Sequence, residues 1–198
     1  MRSESVGSIA KGFPAEIASE VRGVSVALPD SPYPPAGNIG PLRMRGEVIQ
    51  IPHRIYQDEP DSPSPRGTIQ ETIVACVYTR HHDGAVRQRS LERLFPSLEY
   101  WVAPFVVQLV GEYVIEIVEV LARHAEQLRG EPYQQFVAEN PEFLRLTNAR
   151  MVSYWDCYYR ERFPQLNEYV GTRVLEALMN KSISNGIEGP RAPGMSVA

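Results

Sequence analysis

Residues 100–123 read Tyr100-Trp101-Val102-Ala103-Pro104-Phe105-Val106-Val107-Gln108-Leu109-Val110-Gly111-Glu112-Tyr113-Val114-Ile115-Glu116-Ile117-Val118-Glu119-Val120-Leu121-Ala122-Arg123. Nine residues from Val102 to Val120 are valine or isoleucine, which by propensity alone suggests a strand. The polar positions point the other way. Gln108, Glu112, Glu116, Glu119 and Arg123 are 4, 4, 3 and 4 residues apart. That spacing draws one polar stripe on a helix of about 3.6 residues per turn. Residues 104–122 are therefore predicted as one helix at the centre of the domain, with Val106, Val110, Val114 and Ile117 buried. Pro104 starts or kinks it, and Gly111 is a weak point within it. Three carboxylates inside the stretch argue against a membrane span.

Downstream, Glu131-Pro132 opens a short helix to about Glu139. Asn140-Pro141-Glu142 places a capping residue, a proline and a first-turn acid before a helix to about Phe163. Val152, Trp155, Tyr159 and Phe163 are expected to face inward, and Pro164 ends the helix. The cluster Tyr154, Trp155, Tyr158 and Tyr159, followed by Arg160 and Arg162, could stack a base or a cation. At helical spacing it reads more readily as core. A last helix over 165–180 puts Leu166, Val170, Val174 and Leu178 on one face.

Upstream, Thr68-Ile69-Gln70-Glu71 has capping-box spacing, and Ile69, Ile73, Cys76 and Val77 share one face after it. Asp83 is a good N-cap for a second helix over 84–95, with Val86, Leu91, Leu94 and Phe95 inward. Before residue 68 the composition changes. Residues 1–67 hold 10 of the 17 prolines and 7 of the 14 glycines. Prolines remove donors, so this third is expected to be irregular or extended rather than regularly helical. Ser31-Pro32-Tyr33-Pro34-Pro35 and Asp61-Ser62-Pro63-Ser64-Pro65 read as loop or polyproline segments. Between them, residues 42–51 read as an extended segment rather than a sheet, laid on the helices through Leu42, Val48, Ile49 and Ile51.

The reading is thus all-α: a helical bundle or helical hairpins over 68–180, an extended Pro-rich segment over 1–67, and a disordered tail over 181–198. A net charge of -4 with 43% hydrophobic residues excludes both a nucleic-acid-coating protein and a wholly disordered chain. Cys76 and Cys157 lie in apolar segments and read as small buried hydrophobes. No apolar run of signal-peptide length follows Met1, so the expected location is cytoplasmic.

Two family resemblances bear on function. Asp83, Val86-Arg87, Ser90 and Leu94 resemble the second helix of a HEAT-type repeat, with residues 69–82 as the first helix. That resemblance implies a helical hairpin in a module that binds another protein. Helix 69–82 ends where helix 84–95 begins, so Arg80, His81, Arg87 and Arg89 are expected to form an exposed interaction corner. The same arginines, with Arg93, offer a phosphate or nucleic-acid surface as an alternative. The order His53…His82-Asp83…Asp156 is similar to that of HD-domain phosphohydrolases. That resemblance implies His53, His82, Asp83 and Asp156 as ligands of a divalent metal that activates water. The reading preferred here is a non-catalytic interaction or scaffold module without a cofactor.

Overall fold

The computed structural model describes residues 7–60 and 68–179. The tail expected over 181–198 and the Pro-rich stretch 61–65 lie outside the described residues. The described chain is mostly helical, with one small two-stranded sheet. Among these residues no helix is long and apolar enough to cross a membrane.

The first third holds more regular structure than its prolines suggest. After a short turn at Ala15–Ile17, helix α1 spans Ala18–Ala27. Its stretch is free of proline, and Ile17, Val21, Val24 and Leu28, spaced 4, 3 and 4 apart, are all buried. Strands β1 (Ala36–Met44) and β2 (Glu47–Arg54) then form an antiparallel hairpin, which corrects the expectation of an extended segment without a sheet. Its turn needs two residues at positive φ, and Arg45 (φ 49°) and Gly46 (φ 86°) supply them. The register pairs Leu42 with Ile49 and Met44 with Glu47. Leu42, Met44, Ile49 and Ile51 therefore share the buried face. Val48, expected to be buried, points the other way and is 59% exposed.

An isolated hairpin is marginal in water. Here both edges are covered. The Gln50 amide on β2 donates to the Lys11 carbonyl at 2.7 Å. On β1, the Asn140 side chain accepts from the Arg43 amide at 2.8 Å and donates to the Arg43 carbonyl at 2.7 Å. Asn140, expected as the cap of the helix that follows it, makes no N-cap bond there and instead serves the strand edge.

Helices α2 (Ile69–Tyr78) and α3 (Gly84–Leu94) form the predicted hairpin. Thr68 accepts from the Glu71 amide, and Asp83 caps α3 by accepting from the Ala85 amide at 2.7 Å. Val86, Leu91, Leu94 and Phe95 are buried as expected, whereas Ile69 is exposed.

The central stretch is not one helix. It divides into α4 (Ala103–Gln108), a tight turn at Leu109–Gly111, and α5 (Ile115–Arg123). Glu112 and Val114 take extended conformations between them. Val106, Val110 and Ile117 are buried, but Val114 is only half-buried. The polar stripe is split as well: Gln108 and Glu112 are buried, while Glu116 is exposed. Two features account for the break. The Glu112 carboxylate turns inward to two arginines, described below. Gly111 also lets a later helix cross closely, since a Cβ there would lie 3.2 Å from the Thr147 carbonyl oxygen and 3.3 Å from the Arg150 Cβ.

After α6 (Ala125–Leu128), helix α7 (Glu131–Glu139) has the predicted bounds. Helix α8 (Pro141–Tyr154) passes into a π-helical turn, Trp155–Tyr159, and α9 spans Val170–Met179. One core runs through all of this, from Ile9 and Phe13 through Ile49 and Trp101 to Leu178. Phe13 stacks on Phe105 at 4.9 Å and meets Trp101 edge-on, which pins the N-terminal segment to α4.

Candidate interaction face

The end of α2 must meet the end of β2, and both leave backbone carbonyls in need of donors. Arginine meets that need with several N–H groups on one plane. Arg80 donates through Nε to the Pro52 carbonyl at 3.3 Å and through Nη2 to the His53 carbonyl at 2.9 Å. Arg87 donates through Nη1 to the carbonyls of His81 and His82, each at 2.8 Å, and through Nη2 to Glu112 Oε2 at 3.1 Å. The other Glu112 oxygen accepts from Arg54 Nη2 at 2.9 Å. A ladder of Ile55 to the Arg80 carbonyl (2.9 Å) and His82 to the Ile55 carbonyl (3.0 Å) completes the join.

This geometry corrects the expected interaction corner. Arg80 and Arg87 are fully buried and His81 nearly so, because their polar groups serve the join rather than the surface. Arg89 alone of the four is exposed, paired with Glu59 at 2.5 Å. The expected metal set does not assemble either. His53 is exposed on β2, His82 stacks on Tyr56, Asp83 caps α3, and Asp156 pairs with Arg160 at 2.7 Å. Among the described residues no three His, Cys, Asp or Glu side chains gather to hold a metal ion.

His81 is held in one state by its neighbours. The Asp83 amide donates to Nδ1 at 3.1 Å, so that nitrogen carries no proton. Burial, then the adjacent His82, keep the His81 pKa below the ordinary value of 6.5. The His53 pKa is lowered as well, first by the partial shielding of an otherwise exposed ring and then by Arg54. With folded values below the unfolded ones, the unfolded chain binds protons first as pH falls. The stability these groups contribute is therefore full above the ordinary histidine range and is lost below it. Urea unfolding should show lower stability at about pH 5.5 than at about pH 7.5. The difference should shrink in His81→Asn, whose side-chain oxygen can still accept from Asp83. An unchanged difference in that variant would clear His81 of the effect.

The exposed face of interest lies on α8 and its π turn. Residues Leu146, Arg150, Tyr154 and Tyr158 follow at four-residue spacing, so they line one side of the helix. Tyr113, from the break before α5, stands beside them with its ring 6.0 Å from that of Tyr154. The Tyr154 and Tyr158 rings are 6.2 Å apart, and Tyr158 and Tyr159 are 6.3 Å apart. Tyr159 anchors the row: its hydroxyl donates to the Tyr113 carbonyl, and its ring stacks on buried Tyr169. Leu146, Tyr113 and Tyr158 are 44%, 47% and 66% exposed.

Most of this cluster was expected in the core. The π turn is the reason for the difference. Its wider winding carries Trp155 inward, where Nε1 donates to the Phe163 carbonyl at 2.9 Å. Asp156, Cys157 and Tyr158 are left outward, so Cys157 is exposed rather than buried. Such π insertions are frequent at functional sites. Tyr113 and Arg150 were missed in the sequence because neither belongs to a local motif. Glu112 was seen only as part of a solvated stripe. Comparison with family models, curated proteins and solved structures gives no match, so the functional argument rests on the site itself.

Proposed function

We propose that the protein is a non-catalytic interaction module that binds another protein on the tyrosine face of α8. The carrying observation is the row of neighbouring rings that runs from Tyr113 through half-buried Tyr154 to Tyr158, whose two ends stay exposed on a chain with a well-buried core. Tyrosine supplies a large contact area at little entropy cost and is enriched where binding energy concentrates. Leu146 extends the apolar row, and Arg150 lies within it.

A photoreactive residue placed at position 158 should cross-link one partner protein at fixed stoichiometry. The same residue at exposed Arg22 on α1 should not. With the partner in hand, Tyr158→Ser should weaken its affinity by about tenfold or more, as loss of a central anchor does. Equal cross-linking from both positions, a cross-link to a second copy of this chain, or unchanged affinity in Tyr158→Ser would each overturn the reading.

A further inference from the structure

Two arginines bind one carboxylate, and two more from other parts of the fold lie close to it. Arg54 and Arg87 both bind Glu112. Arg80 is tied to β2 through the Pro52 and His53 carbonyls. Arg150, on α8, has its Cβ within 3.3 Å of a Cβ built at Gly111, next to Glu112. The groups lie in one another's fields: Arg54, Arg87 and Arg150 all act on Arg80, and Arg54, Arg80 and Arg150 all act on His53, with Glu112 opposing in each case. Four guanidinium charges against one carboxylate leave this corner strongly positive.

Two further observations show that the charge is not fully met among the described residues. Nη1 of Arg80 and Nε of Arg87 are buried without a hydrogen-bond partner among the described residues, although both side chains are fully enclosed. Arg150 makes no hydrogen bond or ion pair among the described residues and is partly exposed, the Arg54 side chain is 18% exposed, and His53 is exposed. Buried charge without compensation is costly, and it is retained most readily where a ligand completes it.

We propose that His53, Arg54 and Arg150 form an anion site, backed by Arg80 and Arg87, that takes a phosphate monoester. Phosphate suits the planar forks of two arginines and brings up to two negative charges to a corner that lacks them. The site is continuous with the tyrosine face, because Arg150 and Tyr154 are one helical turn apart on α8. This deepens the reading of an interaction module: the partner places a phosphorylated side chain on the arginines and its neighbouring residues on the tyrosines. The anion site is tested without that partner, so its failure and the failure of the docking face remain distinguishable.

The test is calorimetric titration of inorganic phosphate into the full chain at constant ionic strength, with chloride as the control anion. Wild type should bind phosphate saturably at one site. Arg150→Gln should weaken it by about tenfold or more, as loss of a charge-assisted bond does, while the unfolding temperature without phosphate stays unchanged. His53→Asn, at an exposed position, provides a second variant that should fold and should also bind more weakly. O-phosphoserine and adenosine monophosphate, titrated alongside, distinguish the source. Tighter binding of either than of phosphate supports the site and shows whether a protein segment or a nucleotide brings the anion. Non-saturable binding in wild type, an equal response to chloride, or unchanged affinity in both variants would overturn the proposal.

Discussion

Glu112→Ala should destabilise the protein by about 3–5 kcal/mol, the usual cost of breaking a buried ion pair on one side. The loss would leave Arg87, fully enclosed, with a cation facing no carboxylate, and would release Arg54 from the end of β2. It would also free the segment between α4 and α5, whose extended conformation depends on that inward carboxylate. Domains of this size are stable by about 5–15 kcal/mol in total, so the variant should be partly unfolded or aggregation-prone at ambient temperature. Urea unfolding followed by tryptophan fluorescence measures this, because Trp101 and Trp155 are both buried. Glu116→Gln, at an exposed position that makes no ion pair among the described residues, should change stability by less than about 0.5 kcal/mol. Comparable effects from the two variants would mean that Glu112 does not hold the break.

Asn140→Ala should cost about 2–4 kcal/mol through the loss of three bonds at one buried side chain. Two of them close the edge of β1 at Arg43, and the third reaches the Phe136 carbonyl at the end of α7. Without them, a strand edge that faces a helix corner rather than water is left unpaired. Amide exchange supplies a specific readout: the Arg43 amide should lose protection well before amides in α9. Asn140→Asp separates the roles, because a carboxylate can still accept from the Arg43 amide but cannot donate to either carbonyl. It should therefore also be destabilising. Stability equal to wild type in Asn140→Ala would show that water replaces the side chain at no cost.

Both effects arise at residues whose sequence context suggested something milder. Asn140 reads as a helix cap because it precedes Pro141 and Glu142, and the helix does begin there. Its side chain is spent elsewhere because β1, almost a hundred residues earlier, arrives beside it with an unpaired edge. Glu112 falls into step with Gln108, Glu116 and Glu119, and periodicity sees only step. It cannot register that two arginines from β2 and α3 come to the same place.

The sequence by itself determined the local events, where the cause and the effect lie within a turn or two of chain. Thr68 and Asp83 start α2 and α3 because their side-chain oxygens meet amides two or three residues ahead. Pro132 and Pro141 open α7 and α8 because a first-turn proline gives up no bond. The inward faces of α3 and of the later turns of α9 follow from spacing alone, as buried Leu91, Leu94, Val174 and Leu178 show, whereas Val170 is half-buried and Leu166 lies in a tight turn before the helix. Tertiary structure decided whatever depends on a distant partner. Residues 36–54 form a sheet because Lys11 and Asn140 cover its two edges, which outweighs the scatter of prolines and glycines. The central helix breaks because Arg54 and Arg87 draw Glu112 inward and α8 crosses at Gly111. Arg80 and Arg87 are buried because carbonyls at the ends of α2 and β2 need donors, and Tyr158 is exposed because a π turn rotates it away from the core. Charge and aromaticity are visible in any sequence, but which side of the surface they end on is set by the partners the fold brings to them.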